Sequence, residues 1–160
     1  MIKIKTPNKC SPNELNSFIQ LVKKGGEVNL KTLSNLVKKA QFLAFSYNEL
    51  NILIGVGAIK NPNISYRNKV FHKAGLNHLQ DQYKIELGWF YVEKKFRRKY
   101  IGTKIINNLL DKIKNKKIYA ITRTNNKATK HLLENFKFHK SNEQQKLKVI
   151  TNPLILFIRN

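Results

Sequence analysis

Apolar and polar positions alternate along Met1-Ile2-Lys3-Ile4-Lys5, so residues 1–6 are predicted as a half-buried strand. Ser11-Pro12-Asn13-Glu14 then supplies an N-cap, a first-turn proline and a capping-box glutamate. Leu15, Phe18, Ile19 and Val22 follow at helical spacing, and Gly25-Gly26 ends that helix. A second helix is predicted over 29–40, with Leu30, Leu33, Leu36, Val37 and Ala40 as its apolar positions. Residues 41–47 and 51–59 form a hairpin pattern with its turn at 48–50. A strand over 83–92 leads to a helix over 102–114, where Ile105, Ile106, Leu109, Leu110 and Ile113 make one face. A strand over 118–123, a helix over 126–135 capped by Asn125 or Thr124, and strands over 136–140 and 154–159 complete the pattern.

No linker or internal repeat interrupts this order, and 160 residues suit one domain with a full core, so 1–160 is expected to be a single unit. Runs of apolar residues are strand-sized, short of the ~18 a membrane span needs, and residues 1–5 lack the apolar segment of a signal peptide. A single cysteine, Cys10, excludes an internal disulfide and a cysteine-based metal cluster. A cytoplasmic location without membrane attachment is the resulting expectation. The net charge of +22 changes the picture, because so strong a positive field favours nucleic acid or another polyanion as a partner. Lysines scattered over the surface of a Lys-, Asn- and Ile-rich chain would give the same sum, so charge alone leaves both readings open.

Residues 85–110 concentrate the candidate chemistry. An aromatic and β-branched strand runs into the basic turn Arg97-Arg98-Lys99-Tyr100, and the turn opens directly onto the amphipathic helix. Unpaired backbone N–H groups, the positive end of the helix dipole and several cations would meet there, a setting for a phosphate or pyrophosphate. A Walker loop is excluded, since Gly-x-x-x-x-Gly-Lys-Ser/Thr occurs nowhere in the chain. The segment from Val92 through Arg97-Arg98-Lys99-Tyr100-Ile101-Gly102-Thr103 resembles the signature of the GNAT superfamily, the acetyl-coenzyme A-dependent N-acetyltransferases. In that pattern an apolar strand ends in Val, followed by Arg/Gln-x-x-Gly-x-Gly/Ala and a helix. The stretch Asn126 to Phe138 resembles the family's second motif at Asn126, Leu132 and Phe138, while Thr129, Leu133 and Lys137 replace its alanine, tyrosine and glycine.

The resemblance implies an α/β (α+β) fold: a mixed, mainly antiparallel central sheet with helices on both faces, and strands four and five splayed to admit coenzyme A. It implies acetyl-coenzyme A as co-substrate, with no metal, and transfer of the acetyl group to a primary amine by direct attack. Phe90, Tyr91, Val92, Arg97, Arg98, Lys99, Tyr100, Ile101, Gly102, Thr103 and Asn126 are the implied cofactor-binding residues, and the Val92 N–H the implied oxyanion donor. Tyr100 stands where the motif has its first glycine. If that position needs a positive φ, tyrosine is strained there by about 1–3 kcal/mol.

Strict alternation places Ile85, Leu87, Trp89 and Tyr91 on one face of the strand and Glu86, Gly88, Phe90 and Val92 on the other. Glu86 stands six residues before the motif valine, where several family members keep a general base, and it is the candidate base here. A carboxylate in an apolar cleft suits removal of a proton from an ammonium near neutral pH; a salt-bridged strand glutamate is the structural alternative. With Leu133 at the position of the family's tyrosine acid, Tyr91, Tyr100, Tyr119 or water is left to protonate the thiolate. Cys10 lies beside a helix N-terminus, which would lower its pKa, but it has no partner pattern; His72, His78, His131 and His139 lack metal-ligand spacing.

The long segment 60–82 interleaves Tyr66, Arg67, Lys69 and Lys73, and a short helix capped by Ser65, with Val70 and Phe71 inward, is predicted within it. Ring and cations together suit a nucleic-acid or anionic-acceptor surface. Acceptors in play are therefore a small-molecule, peptide or protein amine, and an amine carried on nucleic acid such as an aminoacyl-tRNA or modified base. A non-catalytic, nucleic-acid-binding member of the fold is the third reading. The oligomeric state is open between monomer and homodimer.

Overall fold

The first helix starts where the capping box places it. Ser11 Oγ accepts the Glu14 N–H at 3.2 Å, and the Glu14 carboxylate accepts the Ser11 N–H at 2.8 Å. The computed structural model describes residues 1–26, 28–141 and 154–160. Its elements are β1 (Ile2–Lys5), α1 (Pro12–Lys24), α2 (Leu30–Lys38), β2 (Phe42–Tyr47), β3 (Leu53–Lys60), α3 (Ile64–Lys73), β4 (Ile85–Val92), α4 (Ile101–Asp111), β5 (Ile118–Arg123), α5 (Lys127–Asn135), β6 (His139–Lys140) and β7 (Leu154–Arg159). The strands form a seven-stranded mixed sheet in the order β1-β2-β3-β4-β5-β7-β6. The β1–β2, β2–β3, β5–β7 and β6–β7 pairs are antiparallel, and β4–β5 is parallel. Among the described residues no helix is long and apolar enough to cross a membrane.

Two compact units divide the chain, one of Met1–Asn61 with Gly88–Lys114, the other of Pro62–Leu87 with Asn115–Asn160. In the first, β2 and β3 alternate between two packed faces. Leu43, Phe45, Val56 and Ala58 join Phe18, Val22, Leu33 and Val37 of α1 and α2 in one core. Gly55 and Gly57 face α4 instead, and a Cβ at Gly57 would come within 2.6 Å of the Phe90 ring and 2.7 Å of Ile105. Glycine is required at 57 because helix and ring already occupy that space. Trp89 and Tyr91 pack on the α1 side, where Trp89 meets Phe18 edge-on at 6.4 Å.

The second unit is built on Ile85–Leu87, β5, β7, β6, α3 and α5. Phe71 of α3, Leu76, Tyr83, Tyr119 and Leu156 make its core, with Phe71 edge-on to Tyr119 at 5.2 Å. The β4–β5 ladder pairs Ile85, Glu86 and Leu87 with Ile118, Tyr119 and Ala120. Three rungs are fewer than the 8 residues of β4 or the 6 of β5.

Several boundaries differ from the sequence reading. Asn63, not Ser65, caps α3, accepting the Tyr66 N–H at 2.8 Å. Of the residues able to cap α5, Asn126 does so, accepting the Thr129 N–H at 3.1 Å, a role compatible with its expected place at the cofactor, and Asn125 and Thr124 do not. In both cases an Asn side chain sits at the position whose reach matches the free amide. The strand expected over 136–140 shrinks to His139–Lys140, because Phe136 closes α5 and Lys137 takes a φ of 61°. Trp89 and Tyr91 share one side of β4 and Phe90 lies on the other, as alternation predicts, but Trp89 has a left-handed backbone with a φ of 53°.

Candidate active site

The turn after β4 is folded back onto its own strand. Arg97 Nε donates to the Val92 carbonyl oxygen at 2.9 Å, and the Arg97 guanidinium lies 5.7 Å from the centre of the Tyr91 ring. Lys95 and Lys99 lie 5.2 and 5.8 Å from the centre of the Phe96 ring. Glu93 is the turn's anchor to α1. It forms an ion pair with Lys24 and accepts the Tyr91 hydroxyl at 3.3 Å. The hydrogen bond from Lys24 holds the Glu93 carboxyl below its ordinary range. Neither Glu93 nor Lys24 stands out in the sequence; the one available signal is a single acid opening a run of cations.

Arg98 and Tyr100 both adopt left-handed backbone, with φ of 61° and 57°. Tyr100 is the N-cap residue of α4 and makes no side-chain cap bond; 76% of its surface is exposed. The motif position filled by Tyr100 therefore does take a positive φ, at the cost of a close approach of its Cβ to its own backbone. Lys104 donates its N–H to Tyr100 O at 3.0 Å, which begins the helical ladder. The amides of Ile101, Gly102 and Thr103 precede that ladder, and the first turn holds no acidic residue. Free amides, a helix dipole and the exposed Arg98 thus coincide at one end of α4, which fits a pyrophosphate.

Val92 faces a defined direction. Glu93 donates its N–H to Ile54 O of β3 at 2.9 Å. Successive backbone groups of a strand point to opposite edges, so the Val92 N–H and carbonyl point away from β3. Phe90 and Tyr91, the other strand residues expected at the cofactor, are packed on α4 and α1 through their side chains.

Glu86 belongs to the second unit and is only 2% exposed. Tyr119, with no exposed surface, donates its hydroxyl to Glu86 Oε2 at 3.3 Å. Burial first, and then the Glu86 charge, push the Tyr119 hydroxyl well above its ordinary pKa, and the same two causes raise Tyr66. Arg67 was expected on the surface among the cations of 66–73. It is 6% exposed instead, with Nη2 donating to Asp81 Oδ1 at 3.1 Å. Its place on the inward side of α3, one turn before Phe71, explains the burial.

The remaining candidates settle simply. Asn126 spends its Oδ1 on the Thr129 N–H, and its Nδ2 protons remain for another acceptor. Leu133 is 1% exposed. The Cys10 thiol hydrogen-bonds Thr6 O, and burial pushes its pKa up, opposite to the lowering expected from the nearby helix N-terminus.

The model of the acetyltransferase (GNAT) family matches residues 32–138. Solved structures of similar fold include an acyl-CoA N-acyltransferase from Pseudomonas aeruginosa, 13% identical, covering 100% of this chain and 99% of that one, TM-score 0.69. ElaA of Escherichia coli is 12% identical, covering 100% and 99%, TM-score 0.71. The ribosomal-protein-S18-alanine N-acetyltransferase of Escherichia coli is 13% identical, covering 99% and 92%, TM-score 0.66. No curated protein matches the chain by sequence.

Proposed function

Because the chain belongs to the acetyltransferase (GNAT) family, we propose that it moves an acetyl group from acetyl-coenzyme A to a primary amine, with the turn 92–103 as the coenzyme site and Glu86 as the base. The observation that carries this reading is the end of β4. There the Val92 N–H points away from β3, and the chain passes within eleven residues to the free amides of Ile101, Gly102 and Thr103. When bound, acetyl-coenzyme A supplies an activated thioester carbonyl. The amides of Ile101 to Thr103 and the charge of Arg98 would hold its pyrophosphate, and the Nδ2 of Asn126 would donate to its pantetheine arm. The Val92 N–H donates to the thioester oxygen as negative charge develops there. Glu86 would take one proton of the acceptor ammonium; as the freed nitrogen bonds to the carbonyl carbon and the carbon–sulfur bond breaks, that nitrogen must shed a second proton to become a neutral amide. Tyr119 and Tyr91 are committed to Glu86 and Glu93, so Tyr100 or water would relay that second proton to the departing thiolate.

Calorimetric titration with acetyl-coenzyme A tests the site. Arg98→Ala and Gly102→Val should each weaken binding about ten-fold. No heat from the unaltered protein would sink the enzymatic reading. Isotope-labelled acetyl-coenzyme A added to a desalted lysate, followed by mass spectrometry, identifies the acceptor.

An acceptor amine carried on nucleic acid is the second reading. The net charge of +22 favours it, as does a groove of about 420 Å³ lined by Asn68, Lys69, His72, Asn77 and Gln80, a set without a carboxylate. It requires RNA or DNA affinity that falls steeply with salt.

A further inference from the structure

Glu86 lies at 2% exposure, where a carboxylate needs donors to stay in place. Tyr119, the residue opposite it in the parallel β4–β5 ladder, donates its hydroxyl to Glu86 Oε2 at 3.3 Å. Both groups stand on paired strands, and the Tyr119 ring is fixed edge-on against Phe71 of α3. Two rigid elements therefore hold the hydroxyl on the carboxylate. We propose that Tyr119 is the positioning residue of the transfer: its hydroxyl orients the Glu86 carboxylate that removes the acceptor's proton. The inference rests on the reading of Glu86 as base. It differs from a role of Tyr119 as acid to the thiolate, because the hydroxyl proton is already donated to the carboxylate. The charged and titratable groups that act on the pair are Tyr66 and Arg67 of α3, and Asp81 in turn holds Arg67.

The test measures initial rates of labelled-acetyl incorporation into the amines of a desalted lysate, from about pH 5.5 to about pH 9, for four proteins. They are the unaltered chain, Glu86→Gln, Tyr119→Phe and the double variant. Phenylalanine keeps the ring against Phe71, so the variant folds, and unfolding curves verify it. Tyr119→Phe should slow transfer about ten-fold and move the acid limb of the profile to higher pH, because the ionised carboxylate loses a donor. Acetyl-coenzyme A affinity should not change. Glu86→Gln should slow transfer about a hundred-fold, and the double variant no further. An unmoved limb in Tyr119→Phe, or a double variant slower than Glu86→Gln, overturns the positioning role and leaves the base intact. Unchanged rates in Glu86→Gln overturn the base, and the inference with it; no transfer by the unaltered chain overturns the acetyltransferase reading itself.

Discussion

Arg97 closes the turn on Val92: its Nε donates to the Val92 carbonyl at 2.9 Å, while its guanidinium covers the Tyr91 ring. The cation expected to reach a phosphate is thus also the brace that ties the basic loop to the end of β4. Arg97→Lys keeps the charge but loses the planar group that makes both contacts. Acetyl-coenzyme A affinity should fall about ten-fold by calorimetry, with little change in unfolding midpoint. Equal affinity in the variant would show that the brace does not shape the site.

Tyr100 holds a φ of 57° with its ring in solvent. A non-glycine residue there costs about 1–2 kcal/mol, and glycine's freedom in the unfolded chain takes back part of the relief. Tyr100→Gly should raise stability by about 1 kcal/mol in urea unfolding. Tyr100→Val, branched at Cβ, should lower it.

Gly57 lies under the Phe90 ring and Ile105. Gly57→Ala should cost about 1–3 kcal/mol, since the ring must shift within a packed face. Pairing it with Phe90→Leu should recover part of the loss, and that coupling is readable in a double-mutant cycle.

Glu14 receives hydrogen bonds from Lys5 and from the Ser11 N–H, and the Lys5 bond is the larger cause of its lowered pKa. A carboxyl depressed on folding adds stability that is complete above its ordinary 4.5 and is lost as pH falls through the depressed value. Between about pH 6 and about pH 3, the unaltered protein should lose more stability than Glu14→Gln. Ser11→Ala, which removes the other half of the cap, should cost about 1 kcal/mol at neutral pH.

Features set by local chemistry were legible in the chain. Ser11 and Glu14 announced α1, the apolar face of α4 announced its packing, and Arg97 to Thr103 announced a strand–turn–helix junction. What escaped depends on tertiary partners. The burial of Arg67 needs Asp81, fourteen residues on, and the role of Tyr119 needs β5 to lie beside β4 in one register. The left-handed Trp89 is invisible in an aromatic, β-rich run, because nothing in the residue itself asks for that backbone. Glu93 does not stand out among its basic neighbours, since its ion pair with Lys24 joins residues 69 apart.

The backbone at position 100 keeps the shape that glycine would make easy, although the residue is tyrosine. A glycine in such a motif is therefore a discount on a conformation and not a condition for it. Filters that demand the letter will discard chains like this one, whereas filters that ask for the dihedral angle will retain them.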